Sequence, residues 1–190
     1  HTEGRYEVHK PDETSAIFDY VTKLVDGQPS SGRLPPEQGL VLIAPFDGIG
    51  GARRSLDILG VVPALYIWIE NDESCTLVVE GAWPEAITLQ NVNEVTEEVL
   101  SALLMKVADL DTGLLVAGPP CQPFSNLNDD KRGFEDPRSG EIAMFVQLVI
   151  MLRQIAPHIE WSSLMENVAS MSEEDRATIT EKIADVHGDK

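Results

Sequence analysis

The sequence predicts an α/β fold in which a parallel sheet carries helices on both faces. Three observations point there. Short, continuous apolar runs, as expected of strands buried on both faces, alternate with stretches whose apolar residues recur at helical spacing. The helical stretches carry start or stop residues, among them Gly60, Thr96, Pro157 and Ser172. With 190 residues, 43% of them hydrophobic, the chain can build one domain with a sizeable core and is short for two.

Taken in order, residues 12–27, "DETSAIFDYVTKLVDG", place Ile17, Tyr20, Val21, Leu24 and Val25 on one helical stripe, with Asp12 or Thr14 to cap it and Gly27 to end it. "QPSSGRLPPEQG" has little to bury and reads as a linker, so residues 1–39 form a leader and the main domain is 40–190. "LVLIAPF" is the first strand. "GARRSLDILG" follows as a helix with Ala52, Leu56 and Leu59 on its buried stripe and Gly60 as its stop. "ALYIWIE" is the second strand, "DESCTLVVEGAW" a helix and "AITLQNV" the third strand. "TEEVLSALLMKV" is a helix capped by Thr96, with Glu97 and Glu98 in its first turn. "GLLVAG" is the fourth strand, "EIAMFVQLVIMLRQI" a helix ended by Pro157, "WSSLMENV" the fifth strand, and a last helix runs from Ser172 through "EEDRATITEKIADV".

Composition excludes several classes. The longest apolar runs fall short of the roughly 20 residues that span a bilayer, and no signal-peptide pattern opens the chain. An intracellular, non-secreted, membrane-free protein is expected. Cys75 and Cys121 can build neither a disulfide framework nor a clustered zinc site, so no metal is expected. The formal charge of -18 means that the average surface repels polyanions. The first residue is His1, and the chain reads as a piece of a longer protein.

In parallel sheets of this kind, ligands bind at the carboxyl ends of the strands. After the first strand stands "FDGIGG", where Gly48, Gly50 and Gly51 allow a tight turn and close approach to a ligand at a helix N-terminus. After the second stands Glu70, roughly 20 residues beyond the glycines, where an acid accepts both hydroxyls of a ribose. Together they indicate a nucleoside-bearing cofactor. After the fourth stands "GPPCQPFS". A cysteine between prolines is held by a stiff backbone, so Cys121 looks presented rather than packed, whereas Cys75 suits the role of a small buried hydrophobe.

The series "FDGIGG", "IEND", "GPPCQPFS" and "MENV" closely resembles the motifs of the cytosine-C5 DNA methyltransferases, and "RGFEDPRSGEIAMFVQLV" is similar to the family's segment after the active-site loop. The resemblance spans about Leu40 to Val168. It implies the Rossmann-like parallel sheet of the class I S-adenosylmethionine-dependent methyltransferases, incomplete at the C-terminus. It implies S-adenosylmethionine as cofactor, with Phe46, Asp47, Gly48, Ile49, Gly50, Gly51, Glu70, Asn71, Asn91 and Pro119 lining its site. It implies Cys121 as nucleophile, Glu166 as the acid that grips the base, and Asn167 as a residue that ties the cysteine loop in place. Asn71 and Asn91 depart from the family pattern, which often has an apolar residue at the first position and Asp at the second; weakened cofactor binding is the expectation.

The implied reaction explains the residue types. C5 of cytosine is a poor nucleophile until a thiolate adds at C6, and a carboxylic acid at N3 lowers the barrier to that addition. The base must leave the duplex stack to meet the thiol. The loop "SNLNDDKRGFEDPRSG" is expected to act as a lid, with Gly133 and Gly140 as hinges and Lys131, Arg132 and Arg138 on phosphates. The chain ends before the family's downstream arginine motif and target-recognition region, so the remainder of a parent chain is an expected partner and the piece alone is expected to be inactive. DNA is the expected substrate. Transfer RNA, a catalytically silent regulatory module and an unrelated dinucleotide oxidoreductase are the alternatives. A homo- or hetero-oligomer is compatible with the sequence, and the implied location is nuclear in a eukaryote and cytoplasmic otherwise.

Overall fold

The computed structural model describes residues 39–90, 94–121, 140–168 and 171–187, the side chains of 183–187 excepted. Five strands form one parallel sheet: β1 (Val41–Pro45), β2 (Leu65–Ile69), β3 (Ile87–Leu89), β4 (Thr112–Ala117) and β5 (Glu160–Met165), in the order β3-β2-β1-β4-β5. The expected Rossmann-like α/β architecture is therefore present. The helices are α1 (Gly51–Ile58), α2 (Glu73–Ala82), α3 (Glu97–Leu104), α4 (Gly140–Ile155) and α5 (Glu173–His187). Residues 1–38, with the expected first helix and linker, lie outside the described residues.

Strand β1 is buried along its whole length, as its unbroken apolar run requires of a central strand covered on both faces. Its side chains alternate between two cores. Val41 and Ile43 join Ile67, Ile69, Leu115 and Trp161 beneath α3 and α4, while Leu42 and Ala44 join Tyr66, Trp68 and Val79 beneath α1 and α2. Each such side chain, fully buried, contributes roughly 1.5 to 3 kcal/mol of transfer free energy. Gly113 has a steric reason: a Cβ there would overlap the Trp161 ring on the neighbouring strand.

The helix ends follow the chemistry of their caps. The Asp72 carboxylate accepts from Ser74 N at 2.8 Å, and Thr96 Oγ1 accepts from Val99 N at 3.3 Å. Before α5, Ser172 Oγ accepts from Asp175 N at 3.0 Å and donates to the Asp175 carboxylate at 2.7 Å. One expectation for α1 needs correction. The helix ends at Ile58, so Leu59 falls past it and stands 73% exposed. The buried face instead includes Arg53, only 4% exposed, which pairs with Asp57 and Glu85 and stacks on Trp83. Burying a guanidinium requires such partners, and no apolar-periodicity reading shows them.

Candidate active site

The strand order lines up the motifs. Strands β1 and β4 are neighbours, and there the order reverses, the place where open α/β sheets bind ligands. The glycine loop after β1 and the cysteine loop after β4 therefore meet, with Glu70 beyond one and Glu166 beyond the other. The ladder hydrogen bonds continue one residue past the strands: Phe46 N donates to Ile69 O at 2.9 Å, Glu70 N to Leu89 O at 3.2 Å, and Glu166 N to Ala117 O at 2.8 Å. These three residues thus stand at one level along the carboxyl edge.

The glycine loop is tightly specified. Gly48 (φ 53°) and Gly50 (φ 87°) are left-handed, and so is Phe46 (φ 57°). For a bulky residue such as Phe46 that conformation costs on the order of 1–3 kcal/mol, which surrounding contacts must offset. Trp68 Nε1 donates to Gly48 O at 3.1 Å, and Gly48 N donates to the Glu70 carboxylate at 3.3 Å. Gly50 sits against Trp83, whose ring would overlap any Cβ there. Trp83 is itself held, because its Nε1 donates to Asp57 at 2.9 Å and its ring meets Tyr66 edge-on at 6.3 Å.

Acidic charge concentrates beside this loop. Asp47 accepts from Ala52 N at 2.9 Å, at the first turn of α1. Even so, burial, reinforced by the Glu70 charge, pushes its carboxyl up to about 6, with the Ala52 and Gly51 amides acting against the shift. Glu70 itself also accepts from Asn71 N at 2.9 Å and from Asp72 N at 3.3 Å. Glu141, in the first turn of α4, is held above the usual carboxylate range by burial and then by Glu70, which marks it as a member of the same acidic neighbourhood.

The cysteine loop is close by. A Cβ on Gly118 would lie a tight 3.1 Å from Phe46 O and in ordinary contact, 3.9 Å, with Glu166 Oε2, so the two loops and the acid come together at this glycine. Cys121 is a free, half-buried thiol. Asn167 Nδ2 donates to Pro119 O at 3.4 Å, a long bond, while its Oδ1 accepts from Val168 N at 2.8 Å. Glu166 is exposed. A cleft of about 410 Å³ adjoins Asn167, lined also by Met165, Val168, Met171, Arg176 and Ile179.

Phe46, Asp47, Gly48, Ile49, Gly50, Gly51, Glu70, Asn71, Pro119, Cys121, Glu166 and Asn167 all fall along this one carboxyl edge, with Ile49 and Asn71 exposed. Asn91 lies outside the described residues, as do Lys131, Arg132, Gly133 and Arg138. Gly140, the last residue of the expected lid, is the first residue of α4. Cys75 is half-buried on α2 against the Leu42 core, its thiol raised by burial and by the Asp72 and Glu70 charges. Sequence reading missed Trp68, Trp83 and Glu141. No local signal marks the tryptophans, because what they brace lies some 20 to 33 residues away in the chain. Among the described residues no group of three His, Cys, Asp or Glu could hold a metal ion, and no helix is long and apolar enough to cross a membrane.

A parallel sheet with flanking helices, with the glycine turn and Glu70 on one side of the switch point and the half-buried Cys121 on the other, defines a Rossmann-like α/β protein. The fold is shared with a mutant of Spodoptera frugiperda DNMT2, at a TM-score of 0.50 and 24% identity over 78% of this chain and 40% of that one. The family model of the C-5 cytosine-specific DNA methylases matches residues 42–187, and the chain belongs to that family. Type II methyltransferase M.AquIA of Picosynechococcus sp. is 30% identical over 131 residues, 68% of this chain and 49% of the relative. DNA (cytosine-5)-methyltransferase DRM2 of Oryza sativa subsp. japonica is 26% identical over 123 residues, 62% of this chain and 20% of the relative. The chain thus spans about half the length of one relative and a fifth of the other.

Proposed function

We propose that this region, within its whole protein, transfers a methyl group from S-adenosylmethionine to C5 of cytosine in DNA through a covalent bond to Cys121. The observation that carries the reading is the meeting of the glycine loop, the Cys121 loop and Glu166 around Gly118. Such convergence puts a methyl donor and a nucleophile on one base, which is what proximity catalysis needs. The description of the family and the name of the Oryza sativa relative support DNA as the substrate.

The donor set fits a cationic nucleoside. Asp47 already occupies the amides at the start of α1, so the usual anchorage of a pyrophosphate there is taken. Two carboxylates, Asp47 and Glu70, instead favour a ligand with positive charge, which argues against a dinucleotide oxidoreductase. Glu70, braced by three backbone amides, would present its remaining lone pairs to the ribose hydroxyls. Ile49 and Asn71, both exposed, would border the adenine side, with Asn91 as a further contact, and Pro119 would form the wall toward the cysteine. The bound cofactor supplies an electrophilic methyl group on a sulfonium.

On the base, the Cys121 thiolate adds to C6, and the electron pair displaced from the C5–C6 bond makes C5 nucleophilic. Glu166 shares a proton with N3 and accepts from the exocyclic amine, which stabilises the adduct and selects cytosine over thymine. After methylation the C5 proton leaves to a base, and the electron pair of the C5–H bond restores the double bond as sulfur departs from C6. Asn167 orders the Pro119 carbonyl and hence the backbone that carries Cys121.

The test uses the whole protein and duplex DNA carrying 5-fluorocytosine, which cannot lose its C5 substituent. Mass spectrometry is expected to find the stalled thioether on Cys121 and none in Cys121→Ser. An adduct on Cys75, or one that survives Cys121→Ser, overturns the mechanism; trapping by RNA but not DNA overturns the substrate.

A further inference from the structure

One side chain runs along a whole stripe of α1. Gly50, Arg53 and Asp57, three and then four residues apart, share a face of the helix and its cap, and the Trp83 indole lies along that face. At its benzo edge, Cζ3, Cη2 and Cε3 fill the space that a Cβ on Gly50 would need. The Arg53 guanidinium stands 5.9 Å from the ring centre, and at the opposite edge Nε1 donates to Asp57 at 2.9 Å. The indole is also fixed from behind. Trp83 is the first residue past α2, its N–H donates to Val79 O at 2.8 Å, its carbonyl accepts from Ala86 N at 2.9 Å, and Tyr66 meets its ring edge-on. Arg53 reaches on to Glu85, just beyond Trp83 in the chain, at 3.4 Å.

Stability alone does not account for this cluster. Arg53 Nε and Tyr66 Oη are both buried and have no hydrogen-bond partner among the described residues. A buried polar atom left unpaired lowers stability, and apolar residues of similar volume often replace a buried ion pair without loss. What the cluster does fix is one ring against one glycine, Gly50, which is left-handed at φ 87° and caps α1. We propose that Trp83 is a positioning residue for the cofactor, acting through Gly50: its ring keeps the glycine loop in the single turn that the cofactor binds. The proposal rests on the reading of that loop as the S-adenosylmethionine site. Glycine has the widest range of backbone conformations, so with the space beside it empty Gly50 leaves the left-handed turn for others. Gly50 N then gives up its bond to Asp47 O, and Ala52 N its bond to the Asp47 carboxylate. Trp68 and Glu70 hold the loop at Gly48, two residues away, and leave Gly50 to Trp83. The measured affinity falls in proportion to the fraction of molecules whose loop is still competent.

The test uses the whole protein, with S-adenosylhomocysteine as the calorimetric probe and amide hydrogen exchange of the free protein as a second readout. Trp83→Ala is expected to weaken binding about tenfold or more, as when the competent fraction falls to about a tenth. Exchange at the Gly48, Gly50 and Ala52 amides is expected to speed up by a similar factor, with the β4 amides unchanged. Trp83→Phe keeps a ring against Gly50 without the bond to Asp57 and is expected to recover a large part of both losses. Leu152→Ala, on α4 in the core of the other sheet face, lowers stability without touching the loop and is expected to leave both readouts at the parent values. Should Trp83→Ala not fold, Trp83→Leu takes its place with the same expectations. Unchanged affinity or unchanged exchange in that variant overturns the proposal. So does a Trp83→Phe protein no better than Trp83→Ala, and so does Leu152→Ala weakening binding equally, since affinity would then follow stability alone. A parent that does not bind S-adenosylhomocysteine overturns the reading of the site instead, and exchange at the three loop amides still decides whether Trp83 holds the turn.

Discussion

On the β1–β2 side of the switch point, nearly every group that shapes the loop is fixed by another. Trp68 and Glu70 grip Gly48 from two directions, Trp83 fills the space under Gly50, and Asp57 and Tyr66 hold Trp83. On the β4–β5 side, among the described residues, Asn167 Nδ2 donates to Pro119 O over a long 3.4 Å, Glu166 is exposed, and Leu164 is 57% exposed on one strand face. The difference teaches that a tight strand-end turn can be fixed entirely by side chains of the neighbouring strand and the adjoining helices; under the proposed function that turn would hold the cofactor and the β4–β5 loop would meet the base.

Four substitutions sharpen or break this contrast. Gly50→Ala is expected to cause the largest loss, about 4 kcal/mol, because a left-handed non-glycine residue costs roughly 1–2 kcal/mol and the overlap with Trp83 adds roughly 1–3. Urea unfolding measures it; a loss below 1 kcal/mol, on the scale of an ordinary surface change, would mean that the braced side is slack.

Asp47 gives the next effect, with a sign that can be stated in advance. Its carboxyl is raised from 3.8 to about 6 in the fold, so the folded state binds the proton more tightly than the unfolded chain. The charged form therefore destabilises the fold fully above about pH 6, and the cost fades as pH falls toward 4. The shift corresponds to a contribution on the order of 3 kcal/mol. The stability of the parent minus that of Asp47→Asn is expected to rise as pH drops from 7 to 4, and a flat difference would show a solvated carboxylate.

Glu70→Ala is expected to weaken S-adenosylmethionine binding by about 2 kcal/mol, the scale of hydrogen bonds to a charged group. Calorimetry on the whole protein measures it, and unchanged affinity would leave Glu70 as a brace for Gly48 alone. Asn167→Ala is the smallest, under about 1 kcal/mol in stability, because the bond it removes is long. Its effect is expected instead in faster alkylation of Cys121, as the loop loosens. A large stability loss would show the β4–β5 side to be as firmly held as the other.

Much of this was legible in the sequence for local reasons. The unbroken run of β1 requires a strand covered on both faces, Thr96 and Asp72 carry their own capping chemistry, and the prolines beside Cys121 stiffen that backbone whatever surrounds it. The motif order along the chain also placed Glu70, Cys121 and Glu166 at strand ends. Leu59 was misread because periodicity alone does not say where a helix stops, and the burial of Arg53 depends on Glu85 and Trp83, 32 and 30 residues away.

By itself, then, the sequence determined the elements, their caps and the residue types at the strand ends, since each rests on interactions within a few residues. Only the tertiary structure decided that β1 lies between β2 and β4, that Gly118 is the point where Phe46 and Glu166 converge, that the Asp47 carboxyl is pushed up to about 6, and that Arg53 is buried against Trp83. Those properties arise from groups distant in the chain being brought into a common, partly water-excluded space, where packing and charge depend on neighbours that no local pattern encodes.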